Sequence, residues 1–163
     1  MGLMIPGELA NLLNDLGYTW PKTDEEKLFQ LGQHWMDHGG KVGTVVQDAS
    51  GAAGKVWGGN QGDAIEAFRA KWEHDKSALK VVQNGQTGAQ VIGAALFVCA
   101  GIVLALKINV IVQLTILLIE IIEAIATAAP TFGASLLEIP VFKKIADMAI
   151  NLIINEAMEA ILG

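Results

Sequence analysis

The sequence of 163 residues contains one cysteine, few charged side chains and no excess of basic residues. A single cysteine, Cys99, excludes an internal disulfide. The net charge of -6 excludes nucleic-acid binding as a main function, because no basic surface is present to displace counterions from phosphates. We also expect no cleavable signal peptide, since residues 1–13 lack a positive start and polar residues interrupt their apolar core. Export would therefore need a route that does not read such a signal.

Hydrophobic residues, in contrast, make up 52% of the chain. So much apolar surface must be buried in a core, a partner or a membrane. The composition changes near residue 87: residues 1–87 hold most of the charges and all four tryptophans, and residues 88–163 are dominated by Ile, Leu, Val and Ala. We expect a helical hairpin with a short N-terminal helix over 1–87 and a hydrophobic helical region over 88–163, which could also form one continuous domain.

The first half has the pattern of a long helix that packs lengthwise against another helix. A short amphipathic helix over 6–16 ends at Gly17, and Thr23 with Glu26 then forms a capping box for the long helix. From there the sequence repeats every seven residues, as in a helix seam. One set of seam positions is Leu28, Trp35, Val42, Ala49 and Val56, and the other is Leu31, His38, Val45 and Ala52.

A second long helix is predicted after Trp57-Gly58-Gly59, with Asn60 as its N-cap. Its seam positions are Ile65, Trp72 and Leu79 in one set and Phe68, Asp75 and Val82 in the other. The seam shrinks toward the turn, so we expect the helices to approach most closely there. The glycine spacings 39/43 and 54/58/62 favour small-residue packing, with a kink at Gly39-Gly40 as the alternative. The predicted fold is all-α: a long antiparallel helical hairpin with a Trp-X-Gly turn, packed with additional hydrophobic helices into a bundle.

Two long helices joined at Trp57-Gly58-Gly59, with Phe68 about ten residues on, resemble the WXG superfamily of proteins exported by type VII secretion systems. The opening segment is similar to the N-terminal module of large actinobacterial polymorphic toxins. The matching stretches are Ile5-Pro6-Gly7-Glu8-Leu9, Leu16-Gly17-Tyr18-Thr19-Trp20-Pro21 and Asp24-Glu25-Glu26-Lys27-Leu28. The resemblance covers roughly residues 3–82.

This resemblance implies export as a folded helical dimer that the secretion ATPase recognises. It also implies a Tyr-x-x-x-Asp/Glu signal near the end of one partner's second helix. The chain departs from that pattern, because its only tyrosine, Tyr18, is followed four residues later by Lys22. A small WXG-like partner could carry the signal, and self-association is the other arrangement we expect.

The second half contains a candidate membrane segment, since Gly88 to Leu106 is nineteen residues long with only Gln90 polar. Its largest apolar residues are Val91, Ile92, Leu96, Phe97, Ile102, Val103, Leu104 and Leu106. The next stretch, 108–129, carries Glu120 and Glu123, which would be costly in a bilayer. A last helix is predicted over 141–162. Three interpretations stay open for 88–129: the central helix of a bundle, an oligomer interface, or a membrane-inserting hairpin that delivers a toxin or forms a pore.

No residue pattern indicates catalysis. His34 and His38 lie four apart with an acid between them, but a zinc site needs a third ligand, so we interpret them as partly buried packing residues. No nucleophile triad, phosphate loop or cysteine pair is present. We therefore predict a non-enzymatic targeting and partner-binding module of a type VII-secreted polymorphic toxin, without cofactor or metal. The alternative is a membrane-inserting or pore-forming helical protein.

Overall fold

A computed structural model describes residues 2–163, and this part of the chain is helical with no strand. The helices are α1 (Gly7–Asp15), α2 (Glu25–Gly59), α3 (Asp63–Glu73), α4 (Ala78–Ala126) and α5 (Ile139–Leu162), with a 3-10 helix over Ala134–Glu138. The predicted all-α fold is confirmed.

The chain divides into two compact units. One, the hairpin unit, is Leu28–Val98, and the other, the core unit, combines the segment up to Lys27 with Cys99–Gly163. The change of composition near residue 87 falls inside α4 and coincides with neither boundary.

The hairpin unit is held together by a close antiparallel approach of α2 and α4. A Cβ atom added to Gly32 would lie 2.8 Å from the Phe97 ring and 3.0 Å from the carbonyl oxygen of Gly93. A Cβ on Gly93 would lie 2.9 Å from the carbonyl oxygen of Gly32. The two backbones therefore pack against each other directly, which only residues without a side chain permit.

The buried residues of α2 repeat every seven residues, as predicted, but one of the two predicted sets is offset by one residue from the buried one. The residues of the first predicted set at 28, 35, 42 and 49 are half-buried, whereas Leu31 and Val45 are 46% and 61% exposed. These two residues do not pack within the hairpin, because α2 turns its small residues toward α4 instead, and their predicted place in an interface with a further helix stays a prediction. The buried positions come one residue later, at Gly32, Gly39, Val46 and Ala53.

The glycines near the turn do not make the predicted close contact. Gly39 is buried, with its added Cβ 3.1 Å from the Gln90 side chain, but Gly54 and Gly58 have open space around them. The tight approach of the arms lies at the far end from the turn, at Gly32 and Gly93. α2 continues as a helix through Gly39-Gly40, so the glycines there do not end it.

The second arm of the hairpin is interrupted between α3 and α4, which the sequence pattern did not predict. His74 adopts an extended conformation, and its Nδ1 atom accepts a hydrogen bond of 3.0 Å from the Lys76 amide. The Ser77 hydroxyl accepts one of 3.3 Å from the Lys80 amide and so caps α4. Asp75, which fell on the predicted seam, lies in this exposed break.

The core unit packs α1, α4 and α5 around Leu9, Leu13, Val110, Leu114 and Ile150. The predicted helix over 6–16 is confirmed as α1, and Gly17 after it has a φ of +89°, as expected of a helix-ending glycine.

The lead-in to α2 docks on α5. The Tyr18 hydroxyl donates a hydrogen bond of 2.8 Å to the Asp147 carboxylate. The cap of α2 is Asp24, whose carboxylate accepts from the Lys27 amide at 3.1 Å, and the prediction of Thr23 in that role is wrong.

Candidate interaction site at the end of the hairpin

The hairpin reverses direction immediately after the Trp-X-Gly sequence. Trp57, Gly58 and Gly59 form the last turn of α2, and the chain turns over residues 60–62. The Asn60 side chain donates a hydrogen bond of 2.8 Å to the carbonyl oxygen of Val56, so it closes α2 and does not cap α3 as predicted. Gly62, with a φ of +116°, starts α3 in a conformation that other residues rarely adopt.

Three aromatic rings form a cluster beside this turn. The ring centroids of Trp57 and Phe68 are 5.8 Å apart, and those of Phe68 and Trp72 are 5.9 Å apart. The guanidinium of Arg69 lies 5.8 Å from the Trp57 ring centroid and pairs with Glu73 at 3.0 Å. We call Trp57, Phe68 and Trp72 the aromatic cluster. Trp57 is half-buried against its own hairpin and leaves part of its ring accessible.

Two clefts flank the aromatic cluster. The smaller, about 380 Å³, lies beside Trp57 and is lined by Ile65, Arg69 and the turn residues 60–62. The larger, about 790 Å³, opens at the break between α3 and α4. Its apolar wall is Phe68, Trp72 and Leu79, and its polar lining includes Lys71, His74 and Lys76.

The larger cleft is basic in an otherwise acidic protein. No carboxylate lines it. Within residues 2–163 neither Lys71 nor Lys76 takes part in an ion pair. An apolar wall beside unpaired cations suits an apolar partner side chain that lies next to a negative charge.

A second accessible surface runs along α2. Leu31, His34, Trp35 and His38 line a cleft of about 260 Å³, with the Trp35 and His38 rings edge to face at 6.1 Å. The prediction that the two histidines are partly buried is wrong, because both are exposed. Among residues 2–163 no group of three His, Cys, Asp or Glu side chains is placed to hold a metal ion.

The most buried charged pair lies in the core unit and was missed from the sequence. Lys107 is only 2% exposed, and its Nζ lies 2.7 Å from Glu25 Oε2. The ammonium also donates to the carbonyl oxygen of Thr23 at 2.6 Å and lies 5.8 Å from the Trp20 ring centroid. The Leu3 amide donates to the other carboxylate oxygen of Glu25. The sequence did contain an indication of this pair, because Lys107 is the one lysine in a long apolar run. A lysine that is buried with such a run requires a partner of opposite charge.

Glu25 stays ionised in this setting. Burial by itself raises the pKa of the carboxyl, but the hydrogen bonds from the Leu3 amide and the Lys107 ammonium outweigh it. Together they lower the pKa of Glu25 from 4.5 to about 2. The pair therefore fixes the segment before α2 onto α4 as two opposite charges at neutral pH.

The candidate membrane segment lies within α4. The helical stretch Asp63–Ala126 is the one part of residues 2–163 that is long and apolar enough to cross a membrane, and 17% of its most apolar window is buried. Val91, Ile92 and Leu104 are exposed, and Leu96, Phe97, Ile102, Val103 and Leu106 are half-buried.

A family model described as a WXG100 like domain matches residues 6–149. Neither a curated protein nor a solved structure matches the chain. The matched region contains α1 to α4 with the turn at 60–62, and it ends within α5.

Proposed function

The chain belongs to the family of WXG100-like domains, helical proteins related to type VII secretion, and on that premise we propose that it is a non-catalytic targeting and partner-binding module of a secreted toxin. The observation that supports this role is the open end of the hairpin. There the aromatic cluster remains accessible between two clefts, and the larger cleft offers unpaired lysines. Aromatic side chains in accessible clefts are typical anchors for a protein partner.

The proposed partner is a small WXG-like protein or a second copy of this chain. WXG100 proteins generally form helical hairpin dimers. The face of α2 that its own hairpin leaves exposed includes Leu31 and Val45, and the half-buried Trp35 borders it. Exposed apolar side chains at this helical spacing support a further helix as their cover. The secretion ATPase would recognise the assembled pair, with the Tyr-x-x-x-Asp/Glu signal supplied by the partner.

Trp57→Ala tests the targeting role. We expect at least about a tenfold loss of secreted protein, because removing a central aromatic anchor typically costs 2 kcal/mol or more of binding energy. Helix content should be kept, since the Trp57 ring contacts only the nearby side chains of Phe68 and Arg69 among the aromatic and cationic groups of residues 2–163. The readout is the ratio of secreted to cell-associated protein, with circular dichroism of the purified variant.

The matched control is Phe29→Ala, which removes another accessible ring of the hairpin unit far from the turn. Normal secretion of this control is expected. Normal secretion of the Trp57 variant would contradict the targeting role, and equal loss in both variants would assign the effect to the whole hairpin and not to its end.

A second candidate function is membrane insertion of α4, favoured by the small buried share of its apolar window. Insertion should make the protein resist alkaline extraction from vesicles and release an entrapped dye. Complete extraction without dye release would remove this candidate and leave the targeting role unaffected.

A further inference from the structure

The connection between α4 and α5 forms an exposed apolar tip, which we define as residues 124–137. Between Glu123 and Glu138 the sequence has no charged side chain. Phe132 is 99% exposed and Leu137 is 77% exposed, and the neighbouring Ile125 and Leu136 are also exposed. A soluble protein rarely leaves an aromatic ring fully in water beside other large apolar side chains.

The backbone holds the Phe132 ring outward. Phe132 has a φ of +51°, and within residues 2–163 it is the one residue other than glycine with a positive φ. The turn is closed on both sides of it, since the Gly133 amide donates to the carbonyl oxygen of Ala128 at 2.7 Å and the Ala134 amide donates to that of Thr131 at 3.1 Å. A bulky residue is uncommon in this conformation, and such strain concentrates at functional positions.

The hydroxyl groups of the tip are hydrogen-bonded within the protein. The hydroxyls of Thr127, Thr131 and Ser135 donate to backbone carbonyl oxygens within the same segment or the end of α4, at 2.8, 2.7 and 2.7 Å. Ser135 is buried. The tip thus combines exposed apolar side chains with hydroxyl donors that are already satisfied.

This combination is compatible with a lipid surface and favours it over a protein partner. Protein interfaces surround their apolar centre with polar groups that hydrogen-bond across the contact. Hydrocarbon instead requires that polar groups find partners within the segment itself. Aromatic and aliphatic side chains at an otherwise uncharged turn are suited to the boundary between headgroups and acyl chains.

We propose that the apolar tip docks onto the surface of a lipid bilayer, with Phe132 as its main anchor and Leu137 as its second. The flanking Glu123 and Glu138 make attraction to anionic headgroups unimportant, so neutral lipid suffices. The inference goes beyond the proposed secretion role, and it does not require α4 to cross the membrane.

The test is flotation of the full-length protein with phosphatidylcholine vesicles. The wild type should float with the vesicles, and adding phosphatidylglycerol should not increase its partition coefficient. Phe132→Asn should lower the partition coefficient about tenfold, because the transfer of one aromatic side chain into an apolar phase is lost. Asparagine tolerates a positive φ, so this variant removes the ring and keeps the turn.

Phe29→Asn is the matched control, because it removes a ring that is more than half exposed in the hairpin unit. It should float like the wild type. Leu137→Asn should also lower the partition coefficient. If Phe132→Asn loses helix content, the partition coefficient of Leu137→Asn tests the proposal in its place.

Three results would overturn the proposal. The wild type could stay at the bottom of the gradient, the tip variants could float as well as the wild type, or binding could require anionic lipid. A dimer seen by sedimentation and abolished by Phe132→Asn, without any flotation, would assign the tip to self-association instead. Loss of flotation with normal secretion, or the reverse, separates this proposal from the targeting role.

Discussion

Replacing Lys107 with methionine should strongly destabilise the core unit at neutral pH. The substitution keeps an unbranched side chain one atom shorter but leaves the Glu25 carboxylate, 8% exposed, without its cation. Breaking a buried ion pair from one side typically costs about 3–5 kcal/mol of unfolding free energy. We expect a loss in that range, because only the backbone amides of Leu3 and Glu25 would then compensate the buried carboxylate.

The effect of this variant should shrink in acid. The pKa of Glu25 is about 2 in the folded protein against 4.5 for the ordinary group, so its contribution to wild-type stability is fully present above pH 4.5 and is lost as the pH falls toward 2. In Lys107→Met the carboxyl can become neutral once the pH drops below its raised pKa, and the cost of burying its charge then disappears. The difference between wild type and variant should therefore narrow between pH 7 and pH 3.

Urea unfolding followed by circular dichroism measures both effects. The matched control is Lys143→Met, since Lys143 pairs with Asp15 at 3.7 Å on the surface. Exposed pairs contribute about 0–1 kcal/mol, so this control should unfold nearly like the wild type. A loss below about 1 kcal/mol for Lys107→Met, or a difference that does not change with pH, would refute a stabilising role for the buried pair.

Two pairs of glycines give further predictions. Gly32→Ala should destabilise the hairpin unit by about 1–3 kcal/mol, because its Cβ would press on the backbone oxygen of Gly93. Gly40→Ala has open space around it and should stabilise α2 by about 1 kcal/mol. Similar urea midpoints for the two variants would contradict the close approach of α2 and α4. Gly62→Ala should cost about 1 kcal/mol or more because of its φ of +116°, and Gly58→Ala, a helical position with nothing nearby, should not destabilise. The melting temperatures of Gly62→Ala and Gly58→Ala check the location of the turn. Equal melting temperatures would argue against a turn at Gly62.

Local patterns in the sequence were sufficient for much of the fold. The apolar spacing of residues 6–16 followed by Gly17 predicted α1 correctly, and the seven-residue repeat predicted that a long helix follows it, although with Thr23 and not Asp24 as its cap. These features depend on neighbours within one or two turns of helix, which a sequence displays directly.

The face of a helix was harder to predict than its existence. Hydrophobicity placed one seam set on Leu31 and Val45, but the structure buries Gly32 and Gly39 one position later. Gly32 is buried because the backbone of α4 approaches it too closely for a side chain. That approach depends on Gly93, about sixty residues away in the sequence. The break at His74–Ser77 escaped prediction for a related reason, because local side-chain hydrogen bonds there override a repeat that continues through it.

The pairing of Glu25 with Lys107 bears on how α4 presents its apolar surface. Lys107 is the one charged residue between 88 and 119, and it is turned inward to a carboxylate. The exposed side of the same stretch of α4 therefore carries only uncharged residues, among them Ile108, Val112 and Ile116. A surface of this kind suits a cover that offers apolar atoms and no counter-charge, whether a partner helix or acyl chains. The ion pair therefore keeps the one charge of this stretch away from its exposed apolar surface.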